Sequence, residues 1–345
     1  MKKVLKGTGI ILLLVVIILP VFGGCAKKTE GGGKQLRVGV VLYKNDDPFI
    51  NSLTAHLKSD FESFESDELR IVTTVRNGES NQRTEDAVVE EMIDAGCDIL
   101  CVNLVDRTVP GNIIDAAKSA DIPVIFFNRE PVREDLMSWD KLYYVGCKAS
   151  ESGQIQGKLA YEAIKSNRKS DKNKDGKIQY IVLEGETGHQ DAIIRTDSVV
   201  DTLKANGIEL EKLSYQTADW SRAQAENKMT QMINRYGNDI ELVLANNDEM
   251  ALGAIEAYNK KNIEAKKRPL IFGTDGLEDA LSAVLDGSLA GTVYNDKEGQ
   301  AEAIAKLALA LYKGDDLSDF AFIDDRYLML DYAGITAENV SEYME

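Results

Sequence analysis

The chain is long, acidic and poor in cysteine. Its 345 residues carry 57 acidic and 40 basic side chains, a net charge of −17, and four cysteines. Such an acidic protein repels nucleic acid and anionic lipid, which argues against a nucleic-acid-binding role and a polybasic membrane patch. The roughly 310 residues that follow the N-terminal segment suggest two domains of ordinary size.

The N-terminal segment has the pattern of an export signal. Three lysines among the first six residues precede an apolar stretch from Gly9 to Phe22, two glycines and Cys25. This pattern predicts a secretory signal over residues 1–24, and the apolar stretch is shorter than the roughly 20 residues of a membrane span. The junction is similar to a bacterial lipoprotein cleavage site, so we expect lipid on Cys25, with an ordinary cleaved signal as the alternative. Residues 25–35 are rich in glycine and predict a flexible tether.

Apolar runs of strand length alternate with amphipathic stretches of helical period along the rest of the chain. The runs are 36–42, 69–75, 98–103 and 122–127, then 178–183, 210–215, 240–246 and 269–273. Near-continuous apolar strands alternating with helices indicate parallel sheets covered on both faces. Because so many strands in one open sheet would be exceptional, we predict an α/β protein with two Rossmann-like lobes.

The residues that follow these strands are candidates for a ligand site, because open parallel sheets bind ligands beyond the carboxyl ends of their strands. They are Tyr43 to Phe49, Asn103 to Asp106, Asn128 to Glu130, Glu184 to Asp191, Asn246 to Asp248, Asp275 and Asn295. Each position alone is better explained as a helix cap or turn former. The recurrence of polar and aromatic residues in both halves is the informative feature.

The segment DKNKDGKIQ is similar to the first half of a calcium-binding loop. Its candidate ligands are Asp171, Asn173, Asp175, the backbone carbonyl of Lys177 and Gln179, at alternate positions around a glycine. The twelfth loop position is Val182, so another part of the chain has to supply the bidentate carboxylate. A solvated polar turn is the alternative.

Three polar residues after the strand at 178–183 form a second candidate. Asp191 and Arg195 are four residues apart and share a helix face, and His189 precedes them. An ion pair with a capping role and a catalytic His–Asp pair both remain open, although the sequence has no G-x-S-x-G elbow. The same three groups are suited to bind hydroxyls, which donate and accept hydrogen bonds.

Two aromatic residues lie at loop-to-helix junctions. Phe49 is in the first half of the chain and Trp220 in the second. Either one alone is compatible with an ordinary core position. Together, one ring from each lobe would sandwich the apolar faces of a pyranose while polar groups bind its edge.

Motifs along the whole body resemble those of the periplasmic galactose/glucose-binding proteins of bacterial ABC import and chemotaxis. They are YKNDDPF, NLVD, FFNREP, YYVG, ESGQIQG, DKNKDGKIQ, GETGH-D, TADW, ANND, FGTDGL and AGTVYND, in family order and at family spacing. The resemblance implies a periplasmic binding protein type I fold and a receptor without enzymatic activity, whose lobes close on one sugar.

The resemblance also implies the site residues. The sugar contacts are Asp47, Phe49 and Asn103 from the first lobe and His189, Asp191, Arg195, Trp220, Asn247, Asp275 and Asn295 from the second. Asp47 takes the place of the aspartate that accepts either orientation of the fourth hydroxyl. The missing calcium ligand corresponds to Glu241, and calcium is expected to be structural. Pro48 and Glu249 depart from the residues common at their positions.

The implied domains are discontinuous. Residues 36–146 plus 297–329 form the first lobe and residues 147–296 plus 330–345 the second, with hinge strands near Gly146, Asp296 and Leu330. The implied partners are D-galactose or D-glucose, an ABC transporter permease and, as a further candidate, a chemoreceptor. The receptor is expected to be a monomer, lipid-anchored on the extracytoplasmic face of the cell membrane. The alternatives are the same fold tuned to another ligand, such as ribose or xylose, and an exported sugar-directed hydrolase using His189 and Asp191.

Overall fold

The computed structural model of the protein describes residues 33–167 and 170–344. The predicted signal over residues 1–24, Cys25 and the tether up to residue 32 lie outside the described residues. None of the helices in the described part combines the length and the apolar character that crossing a membrane requires.

The first half of the chain alternates strands with helices. Its elements are β1 (Lys34–Leu42), α1 (Pro48–Ser63), β2 (Leu69–Asn77), α2 (Gln82–Asp94), β3 (Ile99–Val102), α3 (Gly111–Ala120), β4 (Val124–Phe127), α4 (Arg133–Leu136) and β5 (Leu142–Cys147).

The second half continues the alternation and ends with two short strands. Its elements are α5 (Ala149–Ser166), β6 (Ile178–Glu184), α6 (Gln190–Ala205), β7 (Leu210–Thr217), α7 (Arg222–Tyr236), β8 (Leu242–Ala245), α8 (Asp248–Lys260), β9 (Leu270–Phe272), α9 (Glu278–Leu285), β10 (Thr292–Asn295), α10 (Lys297–Lys313), β11 (Tyr327–Leu330) and β12 (Tyr332–Ile335).

The first sheet has six parallel strands in the order β11-β5-β4-β3-β1-β2. Side chains of β1 alternate between its two faces: Leu36, Val38 and Val40 pack with α1 and α10, whereas Val41 packs with α2 and α3. Burial on both faces explains why these strands are almost continuously apolar.

The second half repeats this arrangement. Four parallel strands have the order β7-β6-β8-β9, and β10 pairs antiparallel with β12. Two parallel bridges, Phe272 with Gly291 and Asp275 with Tyr294, place β10 beside β9. The strand orders of the two halves therefore correspond, with β2 and β7 at one edge and β11 and β12 at the other.

The predicted α/β fold class is confirmed. The eight apolar runs coincide with β1 to β4 and β6 to β9. The strands β5, β10, β11 and β12 lie outside the eight runs and were not predicted from them.

Two glycines on α5 let α6 lie directly against it. A Cβ on Gly153 would lie 2.7 Å from the carbonyl oxygen of Arg195, and one on Gly157 would lie 2.7 Å from the Cβ of Thr202. Since α6 also carries Asp191, the motif ESGQIQG sets where the polar residues of α6 are held.

Gly153→Ala is therefore expected to lower the free energy of unfolding by about 1–3 kcal/mol, because the added methyl group forces two packed helices apart. Urea denaturation measures this change. Gly111→Ala is the matched control: a Cβ at this α3 residue has no heavy atom within 4 Å. A Gly153→Ala variant as stable as the parent would contradict the close-packing argument.

Candidate functional site

Residues from both halves line one partly open cavity of about 40 Å³ at the carboxyl ends of the strands. Its walls are Tyr43, Asp47, Phe49, Asn128 and Arg129 from the first half, and His189, Asp191, Arg195, Trp220, Asn247, Asp275 and Asn295 from the second. Nine of the ten residues predicted to bind sugar are among them. The tenth, Asn103, is not.

In the first half, Asp47 is fixed at the start of α1. Its Oδ1 accepts a hydrogen bond from the backbone N–H of Ile50 at 3.1 Å, which caps the helix, and its Oδ2 accepts one from the hydroxyl of Tyr43 at 2.6 Å. Phe49 follows on the same helix and is buried. The helix start thus presents one carboxylate and one ring to the cavity.

Asn103 adjoins the cavity through Asn128, although it is not among the lining residues. Its side chain is fully buried, and its Nδ2 donates to the Oδ1 of Asn128 at 3.0 Å and to the carbonyl of Phe127 at 3.3 Å. Within the described part of the chain, the Oδ1 of Asn103 is buried without a hydrogen-bond partner. Asn103 therefore orients Asn128, which does line the cavity.

Arg195 connects the strand ends of the second half. Its Nη1 donates to the carbonyl of Asn246 at 2.8 Å and its Nη2 to the hydroxyl of Tyr332 at 3.2 Å. The carboxylates of Asp191 and Asp275 lie 3.7 and 4.0 Å from the guanidinium. Among the described residues, its Nε has no partner.

Burial shifts the pKa values of the titratable side chains around Arg195. Desolvation raises the pKa of Asp191 and of Asp275, and Arg195 opposes both shifts. Desolvation also holds the pKa of His189 well below its usual value, with further lowering by Arg129 and Arg195. His189 is therefore neutral at physiological pH.

The hydrogen bonding of His189 selects its tautomer. Its Nδ1 accepts from the backbone N–H of Asp191 at 3.1 Å and caps α6. A neutral ring that accepts at Nδ1 carries its proton at Nε2, which leaves that atom as a donor. The cavity thus combines donors on histidine, arginine and asparagine with carboxylate acceptors, a set that matches hydroxyl groups.

Trp220 completes the wall of the second half. Its ring meets that of His189 edge to face with centroids 5.1 Å apart. A Cβ on Gly185 would lie 2.1 Å from the indole, so this glycine makes the space that the ring occupies. Asn247 donates from its side chain to the carbonyl of Trp220 at 3.3 Å.

Tyr43, Asn128 and Arg129 were missed as site residues, although the strand-end rule included their segments. The guanidinium of Arg129 lies 3.8 Å from the centroid of the Tyr43 ring and donates to the carbonyl of Val105 at 2.9 Å. It also donates to both carboxylate oxygens of Glu186 at 3.0 Å. This ion pair joins a loop of the first half to a loop of the second.

The predicted calcium loop gathers oxygen atoms. Asp171 accepts from the backbone N–H groups of Asp175 at 3.2 Å and Gly176 at 3.0 Å. Glu241 is almost fully buried beside the loop and accepts from the backbone N–H of Gln179 at 3.1 Å. The Oε1 of Gln179 is buried without a partner in the described residues. Oxygen ligands of this kind suit calcium.

Acidic side chains alone do not provide a full set of metal ligands at this loop. Across residues 33–167 and 170–344, no group of three or more His, Cys, Asp or Glu side chains is arranged to hold a metal ion. Amide and backbone oxygens would therefore have to supply the remaining ligands.

Comparison with known proteins agrees with the fold. The model of the periplasmic binding protein domain matches residues 38–316. A D-galactose/methyl-galactoside binding periplasmic protein of Haemophilus influenzae is 37% identical over 312 residues, which span 90% of this chain and 92% of that protein. A ribose import binding protein of Salmonella typhimurium is 29% identical over 74% of this chain and 78% of its own length.

Among solved structures, an ABC transporter solute binding protein of Bacillus halodurans with bound myo-inositol superposes with a TM-score of 0.74. It is 26% identical, and the match covers 91% of this chain and 98% of that one. The domain match and the level of identity lead to one conclusion: the chain belongs to the periplasmic binding protein family.

Proposed function

We propose that this protein captures D-galactose or D-glucose in the cavity and delivers the sugar to an ABC importer. The observation that carries the proposal is that each half contributes one aromatic ring, Phe49 or Trp220, and several polar side chains to the same cavity. The similar protein of Haemophilus influenzae is named for galactoside binding, which favours a hexose. The family consists of binding proteins, which favours capture over catalysis.

The polar groups suit the edge of a pyranose. The Nε of Arg195, without a partner in the described chain, and the Nε2 of His189 would donate to sugar oxygens. Asp47, Asp191 and Asp275 would accept from hydroxyls. A ligand site with two apolar faces and a few placed polar groups has this composition.

The proposed sugar contacts remain the ten predicted residues, with Asn103 included through its partnerless Oδ1 among the described atoms. Asp47 is the proposed contact for the fourth hydroxyl. One of its oxygens caps α1 and the other accepts from Tyr43, which fixes the carboxylate plane. A carboxylate has about four acceptor sites, so acceptors remain for either an axial or an equatorial hydroxyl.

Calorimetry of the purified body should give heat with D-galactose and D-glucose and less or none with ribose or xylose. Asp47→Ala and Trp220→Ala should each raise Kd at least about tenfold, because each removes roughly 1.4 kcal/mol or more of contact energy. Asp46→Ala is the matched control, since its exposed side chain pairs with Lys44 outside the cavity. Absence of heat with both hexoses would refute the proposal. Tighter binding of ribose or xylose would instead support the alternative, the same fold tuned to another sugar.

We also propose the two-lobed organisation with the boundaries predicted above. The chain leaves the first sheet after β5, returns through α10 and β11, and ends with β12 beside β10, which supports hinges near Gly146, Asp296 and Leu330. Closure about such hinges would sequester the sugar and present a closed monomer to the permease. A chemoreceptor is a further proposed partner of this closed form.

Structural calcium is proposed in the loop, held by Asp171, Asn173, Asp175, the carbonyl of Lys177, Gln179 and Glu241. When bound, the ion would neutralise the clustered carboxylates and tie the loop to the start of β8. Glu241 stands beside the loop with its carboxylate against the backbone, which supports its role as the added ligand.

A chelator should lower the melting temperature of the parent protein, and Asp175→Ala should remove this chelator-dependent shift. Asp316→Ala is the control, because Asp316 accepts from Ser318 in a similar turn elsewhere. Sugar binding should persist in both variants, since the loop is outside the cavity. A parent melting temperature that is insensitive to chelator would rule out the calcium proposal.

Lipid attachment at Cys25 is proposed as the membrane anchor on the extracytoplasmic face. The full-length chain expressed in a bacterium should incorporate labelled palmitate and partition with detergent, whereas Cys25→Ser should do neither. Cys147→Ser controls for labelling at another thiol. An unlabelled parent chain released as a soluble product would favour the ordinary secretory signal.

A further inference from the structure

Trp220 sits in a turn whose backbone is unfavourable for an aromatic residue. Asp219 and Trp220 have φ angles of 50° and 62°, and the N–H of Ser221 donates to the carbonyl of Ala218 at 2.9 Å across the turn. The left-handed region costs an L-residue about 1–2 kcal/mol, and aspartate tolerates it better than an aromatic residue does. The surrounding structure therefore has to hold Trp220 in place.

The same turn occurs in the first half without an aromatic residue. Glu79 and Ser80 have φ angles of 53° and 54°. At the position that corresponds to Arg222, the first half has Gln82, whose amide donates to Glu85 at 3.0 Å and to Asp86 at 2.8 Å on its own helix. Both halves therefore share the left-handed backbone turn. The aromatic ring and the ion pairs that follow it are found in the turn of the second half.

The side chain of Arg222 links the turn that carries Trp220 to two neighbouring helices. It is the first residue of α7, and its guanidinium contacts Glu249 through Nη2 at 2.6 Å and Nε at 3.1 Å. Nη2 also donates to Asp279 at 2.7 Å. The side chains of Arg222 and Glu249 are 29% and 14% exposed, so water screens this pair less than a surface ion pair.

The two carboxylates belong to ordered helices. Glu249 is in the first turn of α8 and Asp279 in the first turn of α9, positions at which negative charge is favourable. A Cβ on Gly253 would lie 2.2 Å from the carbonyl of Arg222, so α8 also touches the start of α7 directly. Glu249 is one of the positions at which the sequence departs from the resembling family.

We propose that Arg222, held by Glu249 and Asp279, is a positioning residue that sets the orientation of the Trp220 ring for sugar binding. This role rests on the proposed function, because Arg222 acts through a residue assigned to sugar contact and does not line the cavity itself. Without Arg222, the α7 end of the turn is released and Glu249 loses its bidentate partner. The ring then samples more orientations, and the sugar binds less tightly.

The test uses a Trp139→Phe background, in which Trp220 is the remaining tryptophan of the chain. Arg222→Ala should shift the emission maximum of the sugar-free protein and increase acrylamide quenching. Calorimetry with D-galactose and D-glucose should give a Kd about 5- to 10-fold higher, which corresponds to roughly 1–1.4 kcal/mol. Arg222→Lys should restore part of both signals, because lysine keeps the charge without the two-pronged contact.

Lys260→Ala is the matched control. It removes an exposed ion pair with Glu226, 2.5 Å long, that joins the same two helices away from the turn. Emission, quenching and affinity should all stay at parent values in this variant.

Parent-like emission and quenching in Arg222→Ala would overturn the proposal, and so would a changed ring signal with unchanged sugar affinity. If Arg222→Ala does not fold, Glu249→Gln weakens the same link and should shift emission in the same direction, and no shift would overturn the proposal. A parent that binds neither hexose would refute the proposed function. The sugar-free emission would still decide whether Arg222 orients the ring.

Discussion

One buried guanidinium holds the second half of the cavity together. Arg195 reaches from α6 to the carbonyl that follows β8, to the hydroxyl of Tyr332 on β12, and to the carboxylate of Asp275 after β9. Removing one partner of a buried ion pair typically costs about 3–5 kcal/mol, because the remaining charge stays buried. The glycines of α5 permit this arrangement, since they let α6 pack without a Cβ in the way. Strand ends that are distant in the chain thereby become one wall.

Burial also gives the polar groups fixed roles. His189 stays neutral and offers its Nε2 proton because its Nδ1 is occupied by the backbone of α6. Asp47 is held by its own helix and by Tyr43. Groups oriented before a ligand arrives lose less conformational freedom on binding, so a small polar ligand gains affinity from them.

Each half places one ring at the cavity, and an ion pair joins the two halves. Phe49 is carried by a regular helix, whereas Trp220 is carried by a left-handed turn that needs support from Asn247 and Arg222. The ion pair between Arg129 and Glu186 joins the halves beside the cavity. The cleft is therefore shaped by contacts that cross between the sheets as well as by each sheet.

The sequence by itself determined eight of the strands and the two-part α/β organisation, because buried parallel strands leave a strong apolar pattern. Nine of the residues around the cavity followed from the motifs that resemble a known family. The apolar runs of the sequence did not include β5 or β10 to β12, and the antiparallel pairing of β12 with β10 is a contact between segments distant in the chain. Nor did the sequence single out Tyr43 and Arg129, because their stacking 3.8 Å apart joins two loops distant in the chain. The tertiary structure alone decided that Asn103 donates to Asn128 and that Arg222 donates to Glu249. Such contacts depend on how helices and loops pack in space, and neither spacing nor composition records that.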